Sequence, residues 1–192
     1  SRGCLHSMLA CDWRSDVCSS ALSIRRAMTN GFRFLHGVHR PDGAWLPLWF
    51  GNQRGPDDEN PLYGTTRVLA AYRDCDRLET PEAQRGLDWL IANQNEDGGW
   101  GGSRGIASSN EETALAVEIL LSTKPETDAG LRGLEWLMAR IEADTFTETT
   151  PIGFYFAKLW YFERLYPLSF MVGAMRQAVR VYGREESVSP SP

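Results

Sequence analysis

The 192-residue sequence lacks the features that mark several large classes of protein. It has no run of about 18 apolar residues, so no transmembrane helix is predicted. Its first ten residues contain no basic stretch followed by a long apolar run, so we expect no signal peptide. Positive charge is not in excess, because 20 Lys and Arg stand against 25 Asp and Glu. This balance, with no basic stripe, argues against nucleic acid as a partner.

Cysteine is scarce and its spacing carries no metal signature. The four cysteines form no Cys-x-x-Cys pair and have no histidines at zinc-site spacing; they are Cys4, Cys11, Cys18 and Cys75. We therefore expect no metal site and a reduced, cytoplasmic setting. The sequence also lacks an alternating strand pattern of useful length, which favours an all-α fold.

What the sequence does contain is a repeated unit. Arg85 to Trp100 reads RGLDWLIANQNEDGGW, and Asn30 to Trp45 matches it without a gap at a shift of 55 positions. A degenerate third copy begins at Arg132, 47 positions after the second. The residues that define the unit are Trp45, Trp89, Gln94, Gly98, Trp100 and Trp136.

Each unit predicts a helix with one apolar face that ends in a glycine turn and a tryptophan. Leu87, Leu90 and Ile91 follow the i, i+3, i+4 spacing of such a face. The amide of Gln94 can reach the tryptophan of a neighbouring unit and bond to backbone ends, and the glycines allow a tight turn. We expect the units to tie each outer helix to the next.

The remaining helices follow from small-residue-rich segments and from helix start signals. The segments 63–72 and 110–121 are apolar on most faces, as helices buried on both sides would be. Thr80-Pro81-Glu82 is a typical helix start. The predicted helices lie near 24–37, 62–75, 81–94, 110–122, 128–142, 153–165 and 167–182, and 184–192 is predicted to be a disordered tail.

The first 23 residues do not fit this pattern. Cys11 to Leu22 resembles the translated read-through of a sequencing adapter, from which Arg14 and Ala21 depart. One hypothesis is that this segment is an artefact of sequence assembly fused to a truncated reading frame. The other is that it is an ordinary disordered N-terminus. The codons of the underlying DNA distinguish the two. The predicted domain is then residues 24–183.

The repeat and several shorter motifs resemble those of squalene–hopene and oxidosqualene cyclases, which are class II terpenoid cyclases. The shorter motifs are Asp42 to Asn52, Asn60 to Thr65, and Pro151 to Tyr155 followed by Tyr166 to Leu168. Their order is similar to the last part of the catalytic domain. The resemblance implies a partial (α/α) toroid of the α6/α6 barrel type and an enzyme without a cofactor.

The resemblance also implies a mechanism. In such enzymes an Asp-x-Asp-Asp motif protonates the polyene, and aromatic rings stabilise the cations that close the rings. This chain has no Asp-x-Asp-Asp. Its nearest acidic cluster, Asp57 to Glu59, is predicted to be a solvated loop. We therefore expect a C-terminal part of an isomerase or lyase that is inactive alone, with no catalytic residue of its own.

The resemblance places five candidate substrate-binding residues in this sequence. One position departs from the family, because Glu112 stands where glutamine is usual. A buried, unpaired glutamate is costly, so we expect it to pair with Arg67, with Lys158 or with another part of the protein. The five candidates are Trp49, Tyr63, Phe154, Tyr155 and Tyr161.

The implied partners are a polyprenoid such as squalene and, for the full-length enzyme, a membrane surface to which it binds peripherally. Exposed inner helices of a partial toroid would favour self-association. The alternative function is a non-catalytic α/α-toroid module that binds a lipid or a peptide. A protein prenyltransferase would need zinc ligands, and their Asp, Cys and His pattern is absent.

Overall fold

The computed structural model describes residues 8–154 and 158–183, with side chains from residue 21 onward. The chain forms two compact units, Ser1–His39 and Arg40–Pro192. The first unit holds a single long helix, α1 (Met8–Gly37). The helix predicted over 24–37 is thus confirmed, but it begins at Met8, inside the segment for which no helix was expected. The origin of that segment stays a prediction.

The second unit contains five α-helices among its described residues. Five of the predicted helices are confirmed within two residues at each end. They are α2 (Pro61–Asp74), α3 (Pro81–Ala92), α4 (Asn110–Thr123), α5 (Asp128–Glu142) and α6 (Leu165–Tyr182). The predicted disordered tail, 184–192, lies outside the described residues.

Side-chain caps explain where two of these helices begin. Asn60 Oδ1 accepts a hydrogen bond from Tyr63 N at 3.0 Å, and Pro61 occupies the first helical position of α2. Ser109 Oγ accepts one from Glu112 N at 3.1 Å and caps α4. α4 contacts α2, α5 and α6. It is buried on most faces, as its small and apolar residues predicted.

The helix predicted over 153–165 is wrong, and so is the expectation that the chain has no strands. The segment forms β2 (Ile152–Phe154) and β3 (Leu159–Tyr161), which join β1 (Phe50–Asn52) in an antiparallel sheet of order β1-β2-β3. Gly153 pairs with Gly51 and Trp160. A Cβ on Gly153 would lie 1.8 Å from the Leu159 carbonyl oxygen, so only glycine fits there.

The tryptophans that close two of the repeats each pack against a glycine in the following outer helix. A Cβ on Gly86 in α3 would lie 2.7 Å from Trp45 Cζ3, and a Cβ on Gly133 in α5 would lie 2.5 Å from Trp100 Cζ3. Both rings are almost fully buried. The two contacts are equivalent, because each glycine is the second residue of an Arg-Gly-Leu triplet.

The glycine turn before Trp100 is held by hydrogen bonds to α5. Gln94 Nε2 donates to the carbonyls of Gly98 at 2.7 Å and Ala129 at 2.9 Å. Trp136 Nε1 donates to Asp97 Oδ2 at 3.2 Å. Asp97 Oδ1 also accepts from Gly99 N at 3.0 Å, which closes the turn itself. The end of α3 is thereby connected directly to the start of α5.

Gly133→Ala is expected to destabilise the fold. The new methyl group would collide with the Trp100 ring and with Val117 Cγ2 at 2.7 Å, and overpacking of this kind costs about 1–3 kcal/mol. The free energy of unfolding, measured by chemical denaturation, should fall accordingly. The control is Gly173→Ala in α6, where the new Cβ meets only the end of the Glu118 side chain at 3.2 Å. Equal stability of the two variants would contradict the packing argument.

Candidate active site

An aromatic cluster lies where the small sheet meets α2. The Phe50 ring in β1 is 5.0 Å from the Tyr63 ring in α2 and 6.1 Å from the Phe154 ring in β2, measured between centroids. In α6, Tyr166 stacks on Phe170 with centroids 5.5 Å apart. Rings from two strands and two helices thus lie around one part of the molecule.

The structure brings some of the predicted substrate-binding residues together and separates another. Burial raises the pKa of Tyr63 and of Tyr166, and the nearby Tyr161 in β3 raises both further. Tyr63 and Tyr161, with Phe154, are therefore near one another. Trp49 precedes β1 and is 59% exposed. Tyr155 lies outside the described residues.

A small cavity lies beside this cluster, with a volume of about 10 Å³. That volume is about what one water molecule needs, and far below the several hundred Å³ of a typical pocket for an organic ligand. Sequence reasoning missed Phe50, Tyr166 and Phe170 in its wall, although the last two share a helix face at i, i+4. The cavity is lined by Phe50, Gly51, Asn60, Tyr63, Glu111, Glu112, Leu115, Ile152, Tyr166 and Phe170.

Glu112 in the first turn of α4 is the most deeply buried charged group of the site, with 2% of its surface exposed. Its Oε1 accepts hydrogen bonds from Asn52 Nδ2 and Asn60 Nδ2, both at 3.1 Å. Its Oε2 accepts a hydrogen bond from the Ser109 hydroxyl. Glu112 therefore joins residues from β1, from the start of α2 and from the start of α4.

The two asparagines are held in the orientation that this arrangement needs. Asn60 Oδ1 caps α2, and Asn52 Oδ1 accepts from Arg54 N at 2.9 Å. With each oxygen occupied by a backbone N–H, each amide nitrogen points to Glu112. The expected pairing of Glu112 with Lys158 is wrong, since Lys158 forms an ion pair with Asp58. Arg67 is not among the hydrogen-bond partners of Glu112 in the described chain.

Burial is the main reason why the carboxyl group of Glu112 is a weaker acid than usual. It raises the pKa of the carboxyl from 4.5 to about 7, and the neighbouring Glu111 raises it as well. The two asparagine amides lower it, because they stabilise the carboxylate. Glu112 is thus poised to gain or lose a proton near neutral pH, which is typical of residues that carry protons.

Glu111 lies beside Glu112 and is also buried, with 4% of its surface exposed. Its Oε1 accepts a hydrogen bond from Thr150 N at 2.9 Å, which connects α4 to the segment before β2. Its Oε2 is buried without a hydrogen-bond partner. Burial raises the pKa of this carboxyl, and the hydrogen bond from Thr150 N partly lowers it.

Two further properties concern the described residues as a whole. Within 8–154 and 158–183, no three His, Cys, Asp or Glu side chains come together in a way that could hold a metal ion. None of the helices in the same part of the chain has the length and apolar character needed to cross a membrane.

Comparisons with known proteins give a consistent family. The model of the squalene-hopene cyclase C-terminal domain matches residues 18–180. A squalene–hopene cyclase from Bradyrhizobium diazoefficiens is 30% identical over 125 residues, which cover 58% of this chain and 18% of that protein. A copalyl diphosphate synthase from Streptomyces cyslabdanicus is 35% identical over 108 residues, covering 56% of this chain and 18% of that protein. The chain thus spans about a fifth of the length of these relatives.

A solved structure shows the fold. The ent-copalyl diphosphate synthase from Streptomyces platensis superposes with a TM-score of 0.56 at 21% sequence identity, covering 88% of this chain and 30% of that chain. Identity this low supports a shared fold and nothing finer. The predicted class, a mainly helical partial α/α toroid, is confirmed, with the small sheet as an addition.

Glu112→Gln is expected to stabilise the protein at alkaline pH and to have little effect near pH 5. The pKa of Glu112 is about 7 in the folded protein and exceeds the ordinary 4.5. The free energy of unfolding therefore falls as the pH rises from 4.5 to above about 7, by about 3 kcal/mol once the carboxyl is ionised in both states. Glutamine keeps the acceptor for both asparagines and can donate to Ser109, but it carries no charge.

Urea denaturation at about pH 5 and about pH 8 tests this expectation. The variant should lose most of the pH dependence shown by the parent chain. Glu135→Gln, at an exposed position of α5, is the matched control and should leave that dependence unchanged. A parent chain with equal stability at both pH values would show that Glu112 does not titrate in this range.

Proposed function

The chain belongs to the squalene-hopene cyclase C-terminal domain family, and from this premise we propose that it is the C-terminal part of a terpenoid cyclase. The reaction is a proton-initiated, cationic polycyclisation of a polyprenoid. The observation that carries the proposal is the aromatic cluster around Phe50, Tyr63 and Phe154. Tyr63 and Phe154 are two of the substrate-binding candidates that the resemblance implies.

The chemistry of the cluster suits a cationic intermediate. An aromatic face attracts a cation by about 0.5–2 kcal/mol, depending on how dry the site is, and it is too weak a base to end the reaction early. The cavity beside the rings has room for about one water molecule, so a cation there is shielded from premature quenching. The relatives named for squalene–hopene and copalyl diphosphate formation support a polyprenoid substrate, and squalene is our first candidate.

The chain needs other parts of a cyclase to act. It contains no Asp-x-Asp-Asp, so the initiating acid has to come from elsewhere. The cavity of about 10 Å³ cannot hold a polyprenoid. We therefore assign the aromatic cluster to one wall of a larger chamber, which the remainder of the enzyme completes. No cofactor is required.

We further propose that the repeat stabilises the scaffold and takes no part in the chemistry. The contacts of Gln94, Asp97 and Trp100 with α5 support this role, since all of them connect the end of one outer helix to the next. Trp89 is buried in α3 and Gly98 has a φ of 91°, which the turn requires.

An apolar groove between α5 and α6 supports the proposal that more of the protein packs here. Two adjoining parts of it have volumes of about 530 Å³ and about 420 Å³. Val172 and Val179 in its wall are 66% and 68% exposed. We assign this groove to contact with other helices of the full-length cyclase, which we place at the cytoplasmic membrane surface as a peripheral protein.

The isolated chain should therefore self-associate. Burial of the exposed apolar groove against a second molecule is favourable by about 25 cal/mol for each Å² covered. Sedimentation velocity should show species larger than the monomer, and Val179→Lys should shift them toward the monomer. Arg180→Lys, on the neighbouring position, is the control. A strictly monomeric parent chain at high concentration would contradict this expectation.

A hybrid enzyme tests the proposed function. Residues 24–183 replace the matching segment of the Bradyrhizobium diazoefficiens squalene–hopene cyclase, and squalene turnover is followed by gas chromatography. We expect cyclised product from the hybrid and none from the 192-residue chain alone. Turnover by the chain alone would contradict the need for an external acid.

The same hybrid tests the role of the aromatic wall. Tyr63→Leu should lower kcat by about tenfold, since the lost cation–π stabilisation is worth about 1–2 kcal/mol in a dry site. Tyr63→Phe keeps the ring and should retain kcat within about threefold. Equal loss in both variants would mean that the hydroxyl, and not the aromatic face, is what matters.

A further inference from the structure

Two neighbouring carboxyl groups in the first turn of α4 lie in the wall of the aromatic cavity, and the family mechanism assigns neither of them a task. Glu111 and Glu112 are 4% and 2% exposed. Both carboxylate oxygens of Glu112 accept hydrogen bonds, Oε1 from Asn52 and Asn60 and Oε2 from Ser109. Glu111, which also lines the cavity, differs, because its Oε2 is buried with no hydrogen-bond partner.

The Ser109 hydroxyl lies close to both carboxyl groups. Its Oγ forms a hydrogen bond with Glu112 Oε2, and its proximity lowers the pKa of Glu111. A hydroxyl can donate one proton and accept another at the same time. When Glu112 is protonated, its O–H can donate to Ser109, which leaves the serine proton free to turn toward Glu111. One proton can thus serve both carboxyl groups.

The surroundings favour a single shared proton. Two adjacent carboxylates in a dry site repel each other, and they titrate as a pair. Among the described cations, Lys158 pairs with Asp58 and Arg40 pairs with Glu59. Arg67 in α2 lies near enough to Tyr63 to lower the pKa of that phenol, but it is not among the groups that shift the pKa of either glutamate.

The other titratable groups of the site are tyrosines. They come from three different elements: Tyr63 from α2, Tyr161 from β3 and Tyr166 from α6. Burial raises the pKa of Tyr63 and of Tyr166, so these two phenols are neutral at physiological pH. None of the three supplies a positive charge to Glu111 or Glu112.

The cavity gives Glu111 a route to a substrate. Its volume of about 10 Å³ is close to what one water molecule requires, and such a water would need polar partners. The unpartnered Oε2 of Glu111 is one partner. The aromatic rings in the same wall are the proposed contact surface for the cyclised cation.

We propose that Glu111, Ser109 and Glu112 form the proton acceptor that ends the cyclisation, an assignment that rests on the proposed function. A C–H bond next to the cationic carbon breaks and its electron pair becomes a C=C bond. The proton passes to a water molecule held in the cavity, which gives one of its own protons to Glu111 Oε2. Ser109 and Glu112 share the added proton. Glu111 is the catalytic residue, and Ser109 is a positioning residue.

The shared proton can be tested on the 192-residue chain without any activity. Carboxyl carbons of glutamate are labelled with ¹³C, and the Glu112 signal is followed by NMR as the pH is raised. In Glu111→Gln the like charge is removed, so Glu112 should titrate about one pH unit or more below its position in the parent chain. Glu135→Gln should leave it unmoved. An unmoved Glu112 signal in Glu111→Gln would overturn the shared proton.

The acceptor role is tested in the complete cyclase that carries this chain. Glu111→Gln keeps an acceptor for Thr150 N but cannot take up a proton. The ratio of alkene to alcohol and other products should fall by about tenfold or more, the range for loss of a general base. Glu135→Gln, at an exposed position of α5, should leave both this ratio and the substrate consumption unchanged. Glu111→Asp should retain more of the alkene yield than Glu111→Gln does. Ser109→Thr should likewise retain more of it than Ser109→Ala does.

The outcomes separate this inference from the proposed function. A parent enzyme without cyclase activity overturns the proposed function and with it the acceptor role, whatever the NMR titration shows. A parent enzyme that is active, and whose product ratio is the same in Glu111→Gln, overturns the acceptor role alone. A loss of all products in parallel would also overturn it, since that result indicates a structural effect.

Discussion

A tryptophan ring that occupies the space beside a glycine sets the distance between successive outer helices. Trp100 fills the space next to Gly133 so closely that no side chain could be added there. The backbone of the same residue then positions α4, because Trp100 N donates to Thr113 Oγ1 and Trp100 O accepts from Ser109 N, at 2.9 Å and 3.0 Å. The position of the α4 start, and so of Glu111 and Glu112 beside the cavity, depends on these contacts of Trp100.

The start of α4 combines features that reduce stability with features that favour chemistry. A carboxyl group with 2% exposure and a pKa of about 7 costs free energy whenever it is ionised. A glutamine in this place would keep the hydrogen bonds of Asn52 and Asn60 without that cost. A glutamate in this place therefore gives the cavity a group that can hold a proton, and Glu111 beside it gives an oxygen atom that no hydrogen bond occupies.

The success of sequence reasoning varied with the range of the interactions involved. The bounds of α5 followed from local signals, since residue periodicity acts within a few positions along the chain. The helix predicted over 153–165 is wrong, because β2 and β3 are three residues each and the pairing of β2 with β1 joins positions about a hundred residues apart. Such short strands contain too few residues for an alternating pattern to be visible.

By itself, the sequence determined the family, the helical class and the repeated unit. All three follow from the spacing of residues along the chain, which does not depend on long-range contacts. Only the tertiary structure decided that Glu112 bonds to Asn52 and Asn60 and not to Lys158. It also decided that Glu111 retains an unpartnered oxygen at an aromatic wall. The partners of a buried charge are chosen by which elements meet in space, and sequence separations of 52 and 60 residues give no sign of such a meeting.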